Sequence, residues 1–398
     1  MIHLLVALCM AATADVINVS PAANLQVAID AAESGDVIML ETGDYFVPSE
    51  EGAPSSIKIR KDITITSGAQ RANIRGHFLI YDGASLTVSH LIIDASNNTT
   101  LDQIFSFKLD QAPEGTAFGP LTVNDCIIKG NTKTKGLLYL NVNSIVESIR
   151  INNSIVHDIH CSAGDFIDSR RGLPKEIKLT NSTFYDVAEA RAFIRIDDQS
   201  SVFAGKDAPK VTIDHCTLIG VGSNVNQALL YLRYEGNKIV FENNFLAYSG
   251  YKRGFTTQQK TDATPTLSNN YYYSCRNLTT AEEDADANIK WFDENGTVMN
   301  VPPFLYSDYP PLYPDNPNFT LSDESPVSQA NAGDPRWLSL NVLTSVNLGK
   351  ADAMQDDDAC YTLSGQRLSQ PLQKGIYIIR SAEGRMQGKN GRKVVIKN

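Results

Sequence analysis

No stretch of this chain holds the roughly 20 consecutive apolar residues that a membrane-spanning helix needs, so no transmembrane span is expected. Positive charge is not in excess: 35 Lys and Arg stand against 45 Asp and Glu, for a net charge of −10. Neutralising phosphates takes a basic footprint, so a general nucleic-acid-binding surface is excluded. Cysteines are few, 6 in 398 residues, and scattered. With Cys9 assigned to the N-terminal segment discussed below, Cys126, Cys161, Cys216, Cys275 and Cys360 form an odd set, which is no disulfide framework. Core-forming residues are not short: 42% of the chain is hydrophobic and 20% charged, which excludes a mostly disordered protein.

The charge is spread unevenly. Residues 361–398 carry eight basic residues against the single acid Glu383, a net +7, which leaves −17 on residues 1–360. The tail is a separate piece. At the other end, residues 1–14 read MIHLLVALCMAATA, an apolar run closing on small residues before Asp15. That is the apolar region and small-residue end of a secretory signal, although no Lys or Arg precedes it. The alternative is a buried first strand. Bulky Leu8 argues against a lipid-anchored Cys9. The expected location is secreted or cell-surface.

One pattern recurs along the chain. It reads LTVSHLII from Leu86, LTVNDCII from Leu121, IRINNSIV from Ile149, IKLTNSTF from Ile177, VTIDHCTL from Val211, IVFENNFL from Ile239 and PTLSNNYY from Pro265. Offsets of 26–35 residues mean a stacked repeat, and the period-two alternation makes its units strands. Turns of this length, each holding two or three short strands stacked about 4.8 Å apart, build a parallel β-helix. The fifth position (His90, Asp125, Asn153, Asn181, His215, Asn243, Asn269) is polar, as a left-handed bend requires. The sixth (Leu91, Cys126, Ser154, Ser182, Cys216, Asn244, Asn270) reads as an inward column of mostly small residues. Cys126 and Cys216 fall three turns apart, about 14 Å, beyond disulfide reach. Leu25–Ala32 is amphipathic, with Leu25, Val27, Ala28, Ile29 and Ala32 placed to close the open core end.

The opening LQVAIDAAESGDVIMLETGDY followed by IKIRKDITI resembles that of the pectate-lyase-like right-handed β-helix superfamily. The stretch from DFIDSRRG through NSTF and FIRID to YLRYEGNKIVFENNF is similar to core turns of the alginate lyase and chondroitinase B family. It looks still more like an uncharacterised group of secreted Bacteroidetes β-helix proteins. The tail resembles a Bacteroidetes C-terminal sorting module, which would imply a secretion-machinery partner; a plain accessory β module is the alternative. The fold expected is all-β: a right-handed parallel β-helix (solenoid) with an N-terminal capping helix and a small C-terminal β module. The expected division is a signal over 1–14, the β-helix over 15–345, an acidic linker over 346–360 and the module, read as three strands, over 361–398.

A second column lies between the repeat motifs. Aligning IFSFKL from Ile104, LLYLNV from Leu137, FIDSRR from Phe166, FIRIDD from Phe193, LLYLRY from Leu229 and GFTTQQ from Gly254 gives one strand per turn. Alternation turns the third and fifth positions outward. They are Ser106/Lys108, Tyr139/Asn141, Asp168/Arg170, Arg195/Asp197, Tyr231/Arg233 and Thr256/Gln258, with Arg171, Asp198 and Glu235 beside them. Tyrosine rings lie against sugar faces and guanidinium forks bind carboxylate or sulfate, so the stripe suits an acidic polysaccharide. The competing reading is a self-satisfied charge ladder with cross-turn pairs Arg170–Asp197 and Arg195–Asp168.

β-Elimination on a uronate needs a neutralised carboxylate, a base and an acid. The family resemblance implies a Lys base on one turn and an Arg acid on the next. Arg170 stands near the Lys position, and Arg195 or Asp197 near the Arg; the Lys is missing. Arginine is a poor base, Lys175 falls in the following bend, and Tyr231 is the substitute. The expected catalytic set is Arg170, Arg195, Tyr231 and Arg233. The expected substrate contacts are Tyr139, Asn141, Asp168, Arg171, Asp197 and Gln258. Asp168 and Asp197, one turn and two residues apart, also stand at an inverting-hydrolase separation of about 8 Å. Asp168, Asp197, Asp198 and Glu235 are oxygen donors for Ca²⁺. His157, Asp158, His160 and Cys161 have metal-ligand chemistry but read as ordinary turn residues. Two functions stay open: a lyase-like enzyme on a uronic-acid glycan, and a glycan-binding surface without a base. An open stripe with Tyr231 hydrogen-bonded to an arginine favours the first; arginines all closed onto aspartates favour the ladder.

Overall fold

The computed structural model describes residues 14–46, 56–97, 102–161, 164–197, 205–222, 228–234, 236–256, 265–276, 278–280, 290–305 and 318–338. In the tail it describes 359–361, 367–368, 375–380 and 392–396. Residues 1–13 of the expected signal and 346–358 of the expected linker lie outside these residues. The chain divides into two compact units, Met1–Leu338 and Ser339–Asn398.

The first unit is a right-handed parallel β-helix with three long sheets. The first sheet has ten strands, from Val16–Val19 to Thr266–Ser268; the second has ten, from Asp44–Phe46 to Thr297–Met299. The third has nine, from Ser56–Ile59 to Lys290–Trp291, and only that last strand runs antiparallel to its neighbour. The repeat motif is the first sheet. Leu86, Leu121, Ile149, Ile177, Val211 and Ile239 stack in the register their spacing implies.

The bend after each first-sheet strand follows from residue chemistry. All seven fifth-position residues have φ between 48° and 55°, the left-handed region that Asn, Asp and His tolerate better than most side chains. All seven sixth-position residues are buried. Their side chains satisfy backbone donors one turn back: Cys126 N–H donates to Ser154 Oγ, Ser154 N–H to Ser182 Oγ, and Cys216 N–H to Asn244 Oδ1. A buried polar column is tolerated because each member is hydrogen-bonded. Cys126 and Cys216 are free thiols, pushed up to about 12 and above that range respectively by burial.

The N-terminal helix, Leu25–Ala31, closes the core end. Asn24 caps it by accepting from the Gln26 and Val27 backbone N–H groups, and Leu25, Ile29 and Ala32 are buried. Val27 is not part of that face; it is exposed, because a helix of two turns cannot point five residues one way.

Residues 318–338 form a strap, whose Phe319, Leu321, Val327 and Leu338 join Phe304 in an apolar cluster against Tyr185, Ile219, Phe245 and Met299 of the second sheet. Its lock is Asp334, 1% exposed, which accepts from Thr183 Oγ while its backbone N–H donates to Thr217 Oγ. Burial pushes the Asp334 carboxyl up to about 6, against the pull of Arg336 and Thr183. A carboxyl raised in the folded state holds its proton there at pH values where the unfolded chain has lost it. Its contribution is therefore full below about pH 4 and is lost as pH rises to about 6, on the order of 2–3 kcal/mol. Thermal unfolding of Asp334→Asn should lack this downward step when compared with the wild type across that window.

In the second unit, a four-stranded antiparallel sheet has the order Arg367–Leu368, Ala359–Tyr361, Gly375–Arg380, Arg392–Ile396. The expected three strands are four: Ala359–Tyr361, which begins inside the presumed linker, pairs with both neighbours. Among the described residues no helix is long and apolar enough to cross a membrane.

Candidate functional site

The second column of the sequence is the third sheet, in the expected register. Ser106, Tyr139, Asp168, Arg195, Tyr231 and Thr256 are successive partners. Two residues further on come Asn141, Arg170, Asp197 and Arg233. Beneath them Phe166 stacks on Phe193 at 4.7 Å, and Phe184 packs edge-on against both.

The four central residues make a two-by-two chequerboard: Asp168 and Arg170 on one turn, Arg195 and Asp197 on the next. The arginines close onto aspartates, as the ladder reading expected, but along each strand and not across turns. Arg170 donates from Nε (3.0 Å) and Nη2 (2.7 Å) to Asp168, and Arg195 from Nε (3.1 Å) and Nη2 (2.7 Å) to Asp197. The reason is reach. Residues two apart on a strand share a face about 6.6 Å apart, a span that an extended arginine fork bridges with both nitrogens on one carboxylate. Asp168 and Asp197 are outward in direction yet 4% and 1% exposed, while the Arg170 and Arg195 side chains keep 34% and 21% of their surface. Burial pulls both guanidiniums down, but the aspartate hydrogen bonds outweigh it and hold them above their ordinary value. Both stay charged, so neither serves as a base.

A third carboxylate, absent from the sequence reading, completes the cluster. Asp165 Oδ2 lies 3.6 Å from both Arg170 Nη2 and Arg195 Nη1, and Arg233 Nη1 stands 4.0 Å from Asp197. Strict alternation points Asp165 inward, like Ile167; the bend entering the strand redirects it, which no periodicity reveals. Its Oδ1 accepts from the Ala192 backbone N–H.

Tyrosines flank the cluster. The Tyr231 ring has the Arg195 guanidinium 5.2 Å from its centroid, so their contact is cation–π and not a hydrogen bond to the phenol. Tyr139 Oη accepts from Asn141 Nδ2 at 2.6 Å, and Lys135 Nζ lies 5.9 Å from the Tyr139 ring. Lys135, two residues before the aligned segment, is a lysine beside the stripe that the alignment passed over. Arg171 is exposed and donates to Asn143 Oδ1, to the side of the cluster. Lys175 is bound to Glu147. Gln258, Asp198 and Glu235 lie outside the described residues.

Asp168 and Asp197, two of the expected calcium donors, are engaged by guanidiniums. Among the described residues no group of three or more His, Cys, Asp and Glu could hold a metal ion. His157 is a core residue: its ring stacks on Tyr185 and its Nδ1 meets Asp158 Oδ2 at 3.0 Å.

Two family models match the chain: Domain of unknown function (DUF4957) over residues 43–187 and Domain of unknown function (DUF5123) over residues 211–337. The strand bearing Arg195 and Asp197 falls between them. No curated protein matches. Among solved structures, a point mutant of the PL6 family alginate lyase AlyGC is similar at a TM-score of 0.52 and 18% identity, covering 72% of this chain and 40% of that one. The structure titled as PL6 family alginate lyase AlyGC aligns at 0.40 and 17%, covering 65% and 40%. The chain thus spans 40% of the length of these lyases, and the likeness is one of fold.

Proposed function

We propose that this chain is an exported, polysaccharide-active β-helix protein of lyase-like architecture whose third-sheet face recognises an acidic, uronate-containing glycan. The observation that carries the reading is the pair of prepositioned guanidiniums. Arg170 and Arg195 each commit the Nε/Nη2 edge to an aspartate, which leaves their Nη1 groups held in place before any ligand arrives. Prepositioning removes much of the entropy cost of ordering long side chains on binding. Tyr139 and Tyr231 on either side offer ring surface for sugar faces. Fold likeness to alginate lyases supports the same substrate class.

A second reading, β-elimination on that glycan, is favoured by one specific arrangement. Tyr139 accepts a hydrogen bond from Asn141 at its phenol oxygen and has the Lys135 ammonium 5.9 Å from its ring, so a hydroxyl able to exchange a proton stands beside the arginines. In that reading Tyr139 takes the proton, and the arginines neutralise the uronate carboxylate.

One pair of measurements separates the two. Affinity electrophoresis through polygalacturonate, alginate, chondroitin and heparin gels should retard the protein in at least one. Arg170→Ala should lose about tenfold or more in affinity, the scale of one charge-assisted fork. Ultraviolet absorbance of unsaturated uronate should stay flat for a binding protein; a rise that Tyr139→Phe abolishes establishes the lyase. No retardation and no absorbance with any of these glycans refutes both.

A further inference from the structure

Asp165 Oδ1 accepts from the Ala192 backbone N–H, but its other oxygen has a position that neither arginine positioning nor core packing accounts for. The residue is 2% exposed, and its Oδ2 is buried without a hydrogen bond, 3.6 Å from one nitrogen of each guanidinium. Asp168 and Asp197 already hold those guanidiniums by their Nε/Nη2 edges at 2.7–3.1 Å. At 3.6 Å, Asp165 Oδ2 adds charge and little geometry. With all three carboxylates ionised, they balance Arg170, Arg195 and Arg233, and this cluster by itself is neutral. Loss of one buried negative charge leaves it at +1.

We infer that Asp165 is a proton-linked regulator of this face: it takes up a proton as an anionic glycan binds, so that acidification tightens binding. This rests on the glycan-recognition reading above. The groups around Asp165 permit it. From its own turn it faces Asp168 and Arg170, and from the next Arg195 and Asp197. Cys161 and Tyr251 lie behind it, both kept neutral by burial, which pushes them well up. Burial first, and Asp168 second, raise the Asp165 carboxyl, while Arg195, the Ala192 N–H and Arg170 pull it back. A ligand carboxylate or sulfate arriving at the Nη1 edges adds negative charge to the same cluster. It weakens the arginines' hold on the ionised form of Asp165 and raises its proton affinity further. Linkage is reciprocal, so a proton on Asp165 must strengthen the anion's binding by the same factor. The ligand's own carboxylates, ordinary acids near 3.5–4, stay ionised above about pH 5 and do not obscure the effect.

The test is affinity electrophoresis through polygalacturonate and through sulfated heparin between roughly pH 7.5 and 5.0, with wild type and Asp165→Asn. Wild-type affinity should rise by about three- to tenfold on acidification, which corresponds to a coupling of up to one pKa unit. Asp165→Asn, which keeps the shape and the Ala192 hydrogen bond, should bind more tightly than wild type at pH 7.5 and show a flat profile. Parallel profiles for the two proteins would overturn the inference while leaving glycan binding intact. Absence of retardation for both at every pH would remove the binding reading and this inference with it. A carbon-13 titration of the wild-type Asp165 carboxyl, with and without polygalacturonate, reads the same linkage without a variant: an upward shift on binding supports it, and no shift overturns it.

Discussion

Phe193→Ala should destabilise the β-helix by about 3–5 kcal/mol, the cost of deleting a buried aromatic and leaving a cavity. Phe193 is fully buried, stacked on Phe166 at 4.7 Å with Phe184 edge-on at 5.3 Å. The two rings come from different sides of the core, Phe166 from the bend entering its third-sheet strand and Phe184 from a second-sheet strand, and both are fully buried. Repeat folds interact mainly turn to turn, so the damage should centre on the turns bearing Asp168 and Arg195. Amide hydrogen exchange should therefore accelerate first along 166–197, and glycan retardation should fall with it. Phe193→Leu, which keeps most of the volume, should recover more than half of the loss in thermal melts. Equal loss for both variants would mean that the stacking geometry, and not filled volume, supports the site.

Arg195→Ala has the second large effect, and it acts twice. Removing the guanidinium leaves Asp197 with only Arg233 at 4.0 Å, and Asp165 with only Arg170 at 3.6 Å. Uncovering a buried charge in this way costs about 3–5 kcal/mol. Glycan binding should be lost as well, since an anion-facing fork is gone. The two effects separate in the double variant Arg195→Ala/Asp197→Ala. Removing both partners leaves no uncovered charge at Asp197, so its melting temperature should lie above that of the single variant. Binding should not return. Recovery of both would make Arg195 a purely structural partner of Asp197 and sink its role in recognition.

Asp168, Arg170, Arg195 and Asp197 were placed on one face in the right register, because strand alternation and repeat spacing are local properties. Their pairing came out along the strand instead of across turns, because that depends on which carboxylate a flexible arginine fork bridges. Lys135 was passed over because the aligned segment opened two residues too late. The expected hydrogen bond between Tyr231 and an arginine is a ring contact with Arg195.

Amino-acid order alone determined the stacked architecture. A period-two apolar pattern repeating every 26–35 residues, with Asn, Asp or His at each left-handed bend, leaves a chain few ways to bury its strands except turn upon turn. Tertiary structure decided the chemistry of the face. Asp165 enters the arginine cluster only through the bend before Phe166, and Asp334, 151 residues from Thr183, locks the strap by buried hydrogen bonds with Thr183 and Thr217. Such contacts depend on the path of the backbone through bends and on side-chain reach across turns, and neither leaves a period in the sequence.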